Sequence, residues 1–356
     1  MNSVINILGR SIGKDCPIYF IADIAANHDG DLGRAKHLIY LAKQSGADAA
    51  KFQHFKADTI VSDRGFKQLG SQMSHQASWD RSVFQVYKDA SVDESWTSEL
   101  KKCCDEVGIA FFTSPYAFEL VDHVDPFVPA YKIGSGDITW SALIEYIAAK
   151  GKPLMLATGA SSMDDVIKAV SVATTINKNF VLMQCNTNYT ASHENFKHIQ
   201  LNVLKTYEQM FPDMILGLSD HTPGHATVLG AVALGAKVIE KHFTDDVERD
   251  GPDHKFAVDP KAWREMVDRT RELELALGNG IKRVEDNELE TSVVQRRAVH
   301  LKRNLNSGEI IRDSDLIPLR PCPADSISVF FIDKLIGRIL RKQVIKGEAL
   351  KWTDLE

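Results

Sequence analysis

The sequence predicts an α/β fold, a (β/α)8 TIM barrel followed by a small β-rich domain. Three observations lead to this prediction. Eight short apolar runs with strand character alternate with longer segments of helical period between residues 17 and 277. Reactive polar side chains stand where these runs stop. After residue 278 the composition changes, and a charged stretch leads into a segment with an internal duplication.

The predicted strands and helices follow in regular alternation. The strands are expected at 18–22, 47–52, 109–112, 130–133, 154–157, 180–183, 215–218 and 238–240. Helices are expected at 32–44, 94–107, 163–172, 225–234 and 260–277. Eight units of this kind predict a barrel whose active site lies at the carboxyl ends of its strands.

The domain limits follow from the change in composition. Residues 1–280 are expected to form the barrel, 281–294 a linker and 295–356 the small domain. Within the small domain, 305–316 and 344–355 both contain Gly-Glu followed six residues later by Asp-Leu. A duplication with short recurring turns predicts a compact, pseudo-symmetric β-rich unit.

Composition excludes several classes of protein. The chain has 44% hydrophobic and 25% charged residues, as ordinary globular proteins do, and its net charge of −6 does not indicate nucleic-acid binding. The most apolar stretch, 226–239, falls short of the ~20 residues that a membrane span needs. The N-terminus lacks the pattern of a signal peptide, so a cytoplasmic location is expected. The five cysteines form no CxxC pair, which favours reduced thiols.

Two lysines stand out among the residues at the strand ends. Lys51 and Lys132 each belong to an apolar strand of a different unit. Polar loops explain hydroxyls and amides after a strand, but they explain these lysines poorly. Lysines so placed are suited to hold a phosphate or a carboxylate. The other reactive residues at strand ends include Asp23, Gln53, Ser114, Ser135, Asn186, Tyr189, Ser219 and Glu240.

A histidine pair suggests a metal site. His221 and His242 follow the seventh and eighth strands, which are neighbours in the predicted barrel. Two imidazoles with few carboxylates suit Mn²⁺, Co²⁺, Fe²⁺ or Mg²⁺ better than a closed zinc site. The residues alone leave open whether the histidines bind metal or are hydrogen-bonded structural groups. The long connection 54–93 is expected to be a binding element for a sugar.

Five motifs in register resemble the N-acetylneuraminate (sialic acid) synthase family, and the tail resembles its C-terminal antifreeze-like, or SAF, domain. The motifs are Asn27-His28-Asp29-Gly30-Asp31, Lys51-Phe52-Gln53, Tyr131-Lys132-Ile133-Gly134-Ser135-Gly136, Gly217-Leu218-Ser219-Asp220-His221 and Glu240-Lys241-His242-Phe243-Thr244, with Gly251-Pro252-Asp253 downstream. The resemblance covers essentially the whole chain. It implies condensation of phosphoenolpyruvate with an N-acylated amino sugar and water, which gives a nonulosonic acid and phosphate.

The resemblance also implies roles for individual residues. His221 and His242 match ligands of a divalent metal, expected to be Mn²⁺ with Mg²⁺ or Co²⁺ as alternatives, and Asp23 and Glu240 are expected to move protons. The positions implied to bind phosphoenolpyruvate are Lys51, Ser114, Lys132, Ser135, Asn186 and Ser219. The positions implied to line the acceptor sugar are Gln53, Tyr189, Asp253 and Arg320. Arg320 would come from the SAF domain of the partner in a domain-swapped homodimer.

Three departures from the family pattern indicate a subfamily. Asp23 stands where the family has glutamate, Ala157 replaces a serine beside Thr158, and Asn186 is taken as the substitute for a displaced amide. Two alternatives stay open, namely a condensation on an aldose phosphate of the Kdo-8-phosphate or DAHP type, and a non-catalytic sugar-binding protein. The acceptor is also open between N-acetylmannosamine, its 6-phosphate and a diacetamido-trideoxyhexose.

Overall fold

The computed structural model describes residues 4–356, and eight parallel strands in it close into a barrel. An antiparallel pair, β1 (Ile5–Ile7) and β2 (Arg10–Ile12), precedes the barrel. The barrel strands are β3 (Tyr19–Asp23), β4 (Ala49–His54), β5 (Ala110–Pro115), β6 (Tyr131–Ile133), β7 (Leu154–Ala157), β8 (Phe180–Cys185), β9 (Ile215–Asp220) and β10 (Val238–His242). Strand β10 pairs with both β9 and β3, which closes the ring. The predicted (β/α)8 barrel is confirmed.

Helices connect the strands and pack on the outside of the barrel. They are α1 (Leu32–Gln44), α2 (Ala57–Ile60), α3 (Asp63–Gln68), α4 (Val83–Ala90), α5 (Thr97–Val107), α6 (Phe118–Val124), α7 (Ser141–Ala148), α8 (Met163–Ile176), α9 (Val203–Met210), α10 (Ala226–Ala233) and α11 (Pro260–Leu277). Local chemistry fixes several starts. Ser162 and Asp165 form a capping box at α8, and Pro260 occupies the first turn of α11. Within residues 4–356, no helix is long and apolar enough to cross a membrane.

The barrel strands extend further at their carboxyl ends than the sequence predicts. Strands β4, β8, β9 and β10 each end two residues later, and β5 ends three residues later. Most of the added residues are polar, so they resemble loop residues in the sequence. In the structure almost all of them are buried strand residues, and those that point inward make the upper interior of the barrel polar.

The apolar core has two layers in the barrel unit. The outer layer packs the strands against the helices, with residues such as Phe20, Leu38 and Trp263 fully buried. The inner layer fills the amino-terminal half of the barrel and includes Ile5, Ile7 and Ile12 from the β1–β2 hairpin. These three pack with residues at the strand starts, among them Tyr19, Ala49, Ala110, Ala130, Ile215 and Val238. The hairpin therefore closes the bottom of the barrel, and only the carboxyl end stays open to substrates.

The connection 54–93, expected to be a long loop, is largely helical. It contains α2, α3, a 3₁₀ turn at Ser74–Ser78 and α4. Ser62 and Ser82 cap α3 and α4 by accepting hydrogen bonds from backbone amides. This segment is therefore an ordered, largely helical insertion and not a structureless loop.

Residues 279–356 form a second compact unit with its own core. It contains α12 (Leu289–Gln295), within and just beyond the predicted linker, and the antiparallel strands β11 (Ala298–Leu301) and β12 (Leu316–Leu319). The duplicated segments meet in one bridge, between Leu305 and Val344. Their side chains repeat the same contacts. Asp315 accepts from the amide of Arg312 at 3.0 Å, and Asp354 accepts from the amide of Lys351 at 2.8 Å. The pseudo-symmetric β-rich unit is confirmed.

Candidate active site

Two lysines and two carboxylates form a buried cluster inside the upper barrel. Lys51 donates to Asp23 across β4 and β3, with Nζ 2.6 Å from Oδ2. Lys132 Nζ lies 3.1 Å from Glu240 Oε1, and Lys51 Nζ lies 3.9 Å from Glu240 Oε2. All four side chains are at most 5% exposed. Buried charges persist only when they are paired, so the four groups stabilise one another.

The cluster sets the protonation of its carboxylates. Burial raises the pKa of Glu240, but Lys132 and Lys51 outweigh it and lower that pKa to about 2, so Glu240 is ionised at neutral pH. Burial raises the pKa of Asp23, and Lys51 opposes this only in part. Burial lowers the pKa of Lys51, but the neighbouring carboxylates Asp23 and Glu240 outweigh it and raise that pKa. The two carboxylates therefore differ in their readiness to accept a proton.

Hydroxyl groups surround the lysine cluster. Ser219 Oγ donates to Glu240 Oε1 at 3.0 Å, and Ser135 Oγ accepts from the amide of Gly159 at 2.9 Å. Ser114 Oγ is buried and has no hydrogen-bond partner within the described chain. A Cβ at position 159 would stand 2.9 Å from Ser135 Oγ and 2.4 Å from Thr187 Cγ2, so only glycine fits there. The strand of Ser114, β5, lies between β4 and β6, which carry the two lysines, so this unpartnered hydroxyl is suited to bind an anionic oxygen.

The two histidines meet beside this cluster. Their ring centroids are 5.4 Å apart, and β9 and β10 hold them next to each other. His221 Nδ1 lies 2.9 Å from the carbonyl oxygen of Asn186, which assigns the proton to Nδ1 and leaves the Nε2 lone pair free. His242 Nε2 lies 3.6 Å from Asp23 Oδ2, and His242 Nδ1 is buried without a hydrogen-bond partner.

The histidine pair fits a divalent metal. Burial lowers the pKa of both His221 and His242 to about 3, so both imidazoles are neutral, as metal ligands must be. Within residues 4–356 no group of three or more His, Cys, Asp or Glu side chains is arranged to hold a metal ion. A metal on two imidazoles would keep its other positions for water and substrate.

Residues that face the site alternate along the strands with residues of a structural ion pair. Ser219 and His221 face the site from β9 and its end, while Asp220 between them faces the other way. Asp220 accepts from Lys241 Nζ at 2.5 Å, and both side chains are at most 1% exposed. Asp220, which the sequence places close to the histidine pair, therefore has its hydrogen bonds outside the barrel interior.

Three of the four residues expected to line the acceptor sugar, Gln53, Tyr189 and Asp253, line a cavity of about 370 Å³. Gln53 Nε2 donates to Asp23 Oδ2 at 3.2 Å, and the Tyr189 ring stacks edge-on against His221 with centroids 4.4 Å apart. Asp253 Oδ2 lies 3.9 Å from His242 Nδ1, and burial raises the pKa of Asp253 to about 7. Arg320 lies exposed in the second unit, and its expected role stays a prediction.

Asn186 has contacts that the sequence does not show. Its side-chain amide donates to the carbonyl oxygen of His198 at 3.3 Å, and its Oδ1 accepts from the amide of Asn188 at 3.2 Å. Its backbone carbonyl orients His221. The expected contact with phosphoenolpyruvate stays a prediction beside this orienting role. The hydroxyl of Thr158, beside Ala157, donates to the carbonyl oxygen of Met183 at 3.1 Å and accepts from the hydroxyl of Tyr207 at 3.0 Å.

Sequence reasoning missed Asp137 and Tyr116, whereas it expected the 54–93 segment, which contains Trp79 and Tyr87, to bind a sugar. Asp137 and Tyr116 line the cavity from the ends of β6 and β5, and Trp79 and Tyr87 line it from the 54–93 segment. Asp137 stands two residues after Ser135, directly after the motif that ends at Gly136. Its position beyond a strand-end motif was the one available signal.

These features define a class of protein, a (β/α)8-barrel enzyme that binds an anionic substrate beside a metal-competent imidazole pair. The NeuB family model matches residues 38–282, and the SAF domain model matches residues 296–356. The chain belongs to the NeuB family. It is thus a phosphoenolpyruvate-using synthase with a TIM barrel and an SAF domain, and the resemblance seen in the sequence is confirmed.

Relatives and solved structures agree over most of the chain. The N,N'-diacetyllegionaminic acid synthase of Legionella pneumophila is 34% identical over 350 residues, 97% of this chain and 96% of that protein. The human N-acetylneuraminate-9-phosphate synthase is 33% identical over 306 residues, 85% of this chain and 83% of that protein. The crystal structure of N-acetylneuraminic acid synthetase from Leptospira borgpetersenii is 27% identical with a TM-score of 0.72, covering 82% of this chain and 95% of that one.

Proposed function

We propose that the protein condenses phosphoenolpyruvate with an N-acylated amino sugar and water, giving a nonulosonic acid and phosphate. The buried cluster of Lys51, Lys132, Asp23 and Glu240 beside the histidine pair carries this proposal, because it unites an anion site with a metal-competent site. The relatives include synthases of legionaminic and pseudaminic acids and of N-acetylneuraminate 9-phosphate.

Phosphoenolpyruvate would bind at the lysine cluster. Lys51 and Lys132 offset its negative charge, and Ser114, whose hydroxyl has no partner in the described chain, donates to one of its oxygens. Ser135 and Ser219 complete the binding set, with Asn186 as the expected amide. The substrate displaces part of the pairing of Lys51 with Asp23 and of Lys132 with Glu240. Binding an anion thus releases carboxylates that are then free to act on protons.

The chemistry forms a carbon–carbon bond and a C2–oxygen bond from water, and it breaks the C2–oxygen bond to phosphate. C3 of phosphoenolpyruvate attacks the aldehyde carbon of the open-chain sugar, and water adds to C2. The resulting tetrahedral centre collapses to a ketone as phosphate leaves. Glu240, ionised in the structure, is suited to accept a proton from the attacking water, and Asp23, with its raised pKa, is suited to donate one to the former aldehyde oxygen, which becomes the new hydroxyl.

His221 and His242 would hold the divalent metal, with Mn²⁺ proposed first. The metal supplies Lewis acidity for the aldehyde oxygen when bound. The carbonyl of Asn186 keeps His221 in the tautomer that exposes Nε2. Tyr189 and Phe256 pack against both rings and keep them in place.

Phosphate release from phosphoenolpyruvate, measured with a panel of N-acylated amino sugars, tests this function. Chelation with EDTA should abolish release and Mn²⁺ should restore it, while turnover unaffected by EDTA would contradict the metal role. Lys132→Met should lower kcat/KM by at least about 100-fold, since it removes a charge that binds the anion. Sugar binding without phosphate release would identify a non-catalytic binding protein. Release only with aldose phosphates would favour the DAHP type, whose Thermotoga maritima structure, at 14% identity, shares the fold alone.

The expected homodimer, with Arg320 acting in the partner's site, stays part of this proposal. Arg320→Ala and His242→Ala chains should each be inactive alone. When they are mixed under conditions that allow subunit exchange, hybrid dimers should recover activity. A mixture that exchanges subunits without any recovery would contradict the shared site.

A further inference from the structure

The cavity above the lysine cluster has one acidic side and one apolar side. Asp137 and Asp253 are the ionisable acids that line it, and no lysine or arginine is among the described residues of its lining. A second phosphate group in the far part of the cavity would therefore meet carboxylates, and no lysine or arginine among the described residues of this chain that line it.

The carboxyl group of Asp137 is available to accept hydrogen bonds from a ligand. This carboxyl group is partly buried and receives no hydrogen bond from the described residues, and burial raises its pKa to about 6. A buried carboxylate costs free energy unless donors reach it. Hydroxyl or amide hydrogens of a sugar are donors of the right kind, and they carry no charge that the cavity would have to balance.

The opposite side is an aromatic and aliphatic wall built by the 54–93 segment. The Phe55 ring lies 5.4 Å from that of Tyr87 and 6.0 Å from that of Tyr116, and the Trp79 ring lies 6.4 Å from that of Tyr87 (centroid distances). Val86 is 9% exposed and lines the same side. Such a surface gains free energy by covering methyl groups, and it offers little to hydroxyls or phosphates.

We propose that the acceptor is an uncharged N-acylated amino sugar. Its methyl groups, from acyl or deoxy positions, pack against the wall of Phe55, Trp79, Val86 and Tyr87, and one of its hydroxyl or amide groups donates a hydrogen bond to Asp137. This inference rests on the proposed condensation and narrows its substrate. It selects a diacetamido-trideoxyhexose over N-acetylmannosamine, and both over a sugar 6-phosphate. The wall comes from one continuous insertion after β4, so the choice of acceptor is made by a segment that contributes nothing to the lysine cluster.

The full-length protein with phosphoenolpyruvate and Mn²⁺ is assayed for phosphate release on three acceptors. These are a 2,4-diacetamido-2,4,6-trideoxyhexose, N-acetylmannosamine and N-acetylmannosamine 6-phosphate. We expect kcat/KM for the first to exceed that for the second by about 10-fold or more, as burying one or two extra methyl groups allows. The 6-phosphate should be slower than the first by about 100-fold or more. If the 6-phosphate is turned over as fast as the trideoxyhexose, the inference is overturned and the condensation stands. If none of the three acceptors supports phosphate release, both the inference and the condensation are overturned.

Two variants separate specificity from folding. Asp137→Asn removes the charge and keeps the shape, so the ratio of kcat/KM for the 6-phosphate to that for the uncharged acceptors should rise about 10-fold, with KM for phosphoenolpyruvate unchanged. Val86→Thr should lower kcat/KM for the trideoxyhexose about 10-fold and leave N-acetylmannosamine within about twofold. Asp164→Asn, an exposed aspartate of α8, is the matched control. Equal losses on all acceptors would show a merely structural role and overturn the assignment.

Discussion

Replacing Lys241 by methionine should destabilise the barrel strongly although the residue touches no predicted substrate. Lys241 Nζ donates to both Asp220 Oδ2 and the carbonyl oxygen of Thr222, at 2.5 Å each, and its side chain is fully buried. Methionine keeps the length and the apolar stem but leaves the carboxylate of Asp220 buried with only hydroxyl and amide donors. Breaking such a pair costs about 3–5 kcal/mol, because the remaining charge cannot be solvated.

The loss should depend on pH in a defined direction. Burial raises the pKa of Asp220, but Lys241 and the hydroxyls of Thr227 and Thr222 outweigh burial and lower that pKa below its ordinary value of 3.8. A lowered pKa in the folded state contributes stability above about pH 4 that is lost as the pH falls through the folded value. In Lys241→Met the unpaired Asp220 is free to protonate instead. The difference between wild type and variant should therefore be largest near pH 7 and shrink toward pH 4.

Urea unfolding followed by tryptophan fluorescence measures this loss, since Trp79, Trp96, Trp140 and Trp263 all lie in the barrel unit. Lys168→Met, an exposed lysine on α8, is the matched control and should change stability by less than about 0.5 kcal/mol. In an Asp220→Asn background, Lys241→Met should cost at least about 2 kcal/mol less, because no buried charge is left unpaired. A cost below about 1 kcal/mol at pH 7, or equal costs in both backgrounds, would refute the reasoning.

Three further changes test other parts of the molecule. Ile7→Ala opens a cavity at the closed end of the barrel and should cost about 2–4 kcal/mol in urea unfolding, whereas Val4→Ala, 58% exposed, should cost almost nothing. Asp137 has a pKa raised from 3.8 to about 6, so it lowers stability as the pH rises from 4 to 6. Asp137→Asn should remove this dependence, so the stability of the variant relative to wild type should be at most about 3 kcal/mol more favourable at pH 8 than at pH 4. An unchanged pH profile of stability would contradict this prediction. Ser162→Ala removes the cap of α8 and should lower thermal stability by about 1 kcal/mol, with exposed Ser171→Ala as the comparison.

The barrel was predictable because its strands and helices differ in period. Helices α1 and α11 occupy the ranges expected for them, since each has a long amphipathic pattern and a capping aspartate, Asp31 or Asp259. The strand ends were not predictable. The carboxyl end of β10 continues through Lys241 to His242, and in a sequence such residues resemble the start of a loop. The three-residue strands β1 and β2 are too short for any periodic signal.

The sequence was sufficient to predict which residues gather at the site, but not which of their side chains form ion pairs. Closure of the barrel brings the end of β10 beside β3, so His242 lies opposite Asp23, as the order of strands requires. Which lysine joins which carboxylate depends on side-chain direction across neighbouring strands, and Lys132 reaches Glu240 from a strand that does not adjoin β10. The connection 54–93 was expected to bind a sugar, but its helices were not predictable, because α2, α3 and α4 have four to eight residues and show no clear period.

The alternation along β9 and β10 has a consequence for how this protein can change in evolution. Ser219 and His221 alternate with Asp220, and Glu240 and His242 alternate with Lys241. Deleting or inserting one residue within either strand would turn the ligands outward and the structural ion pair into the substrate chamber. These strands can therefore accept substitutions but not changes of length. Gains and losses of residues must collect in connections such as 54–93, where a lineage can acquire a new acceptor while its chemistry stays fixed.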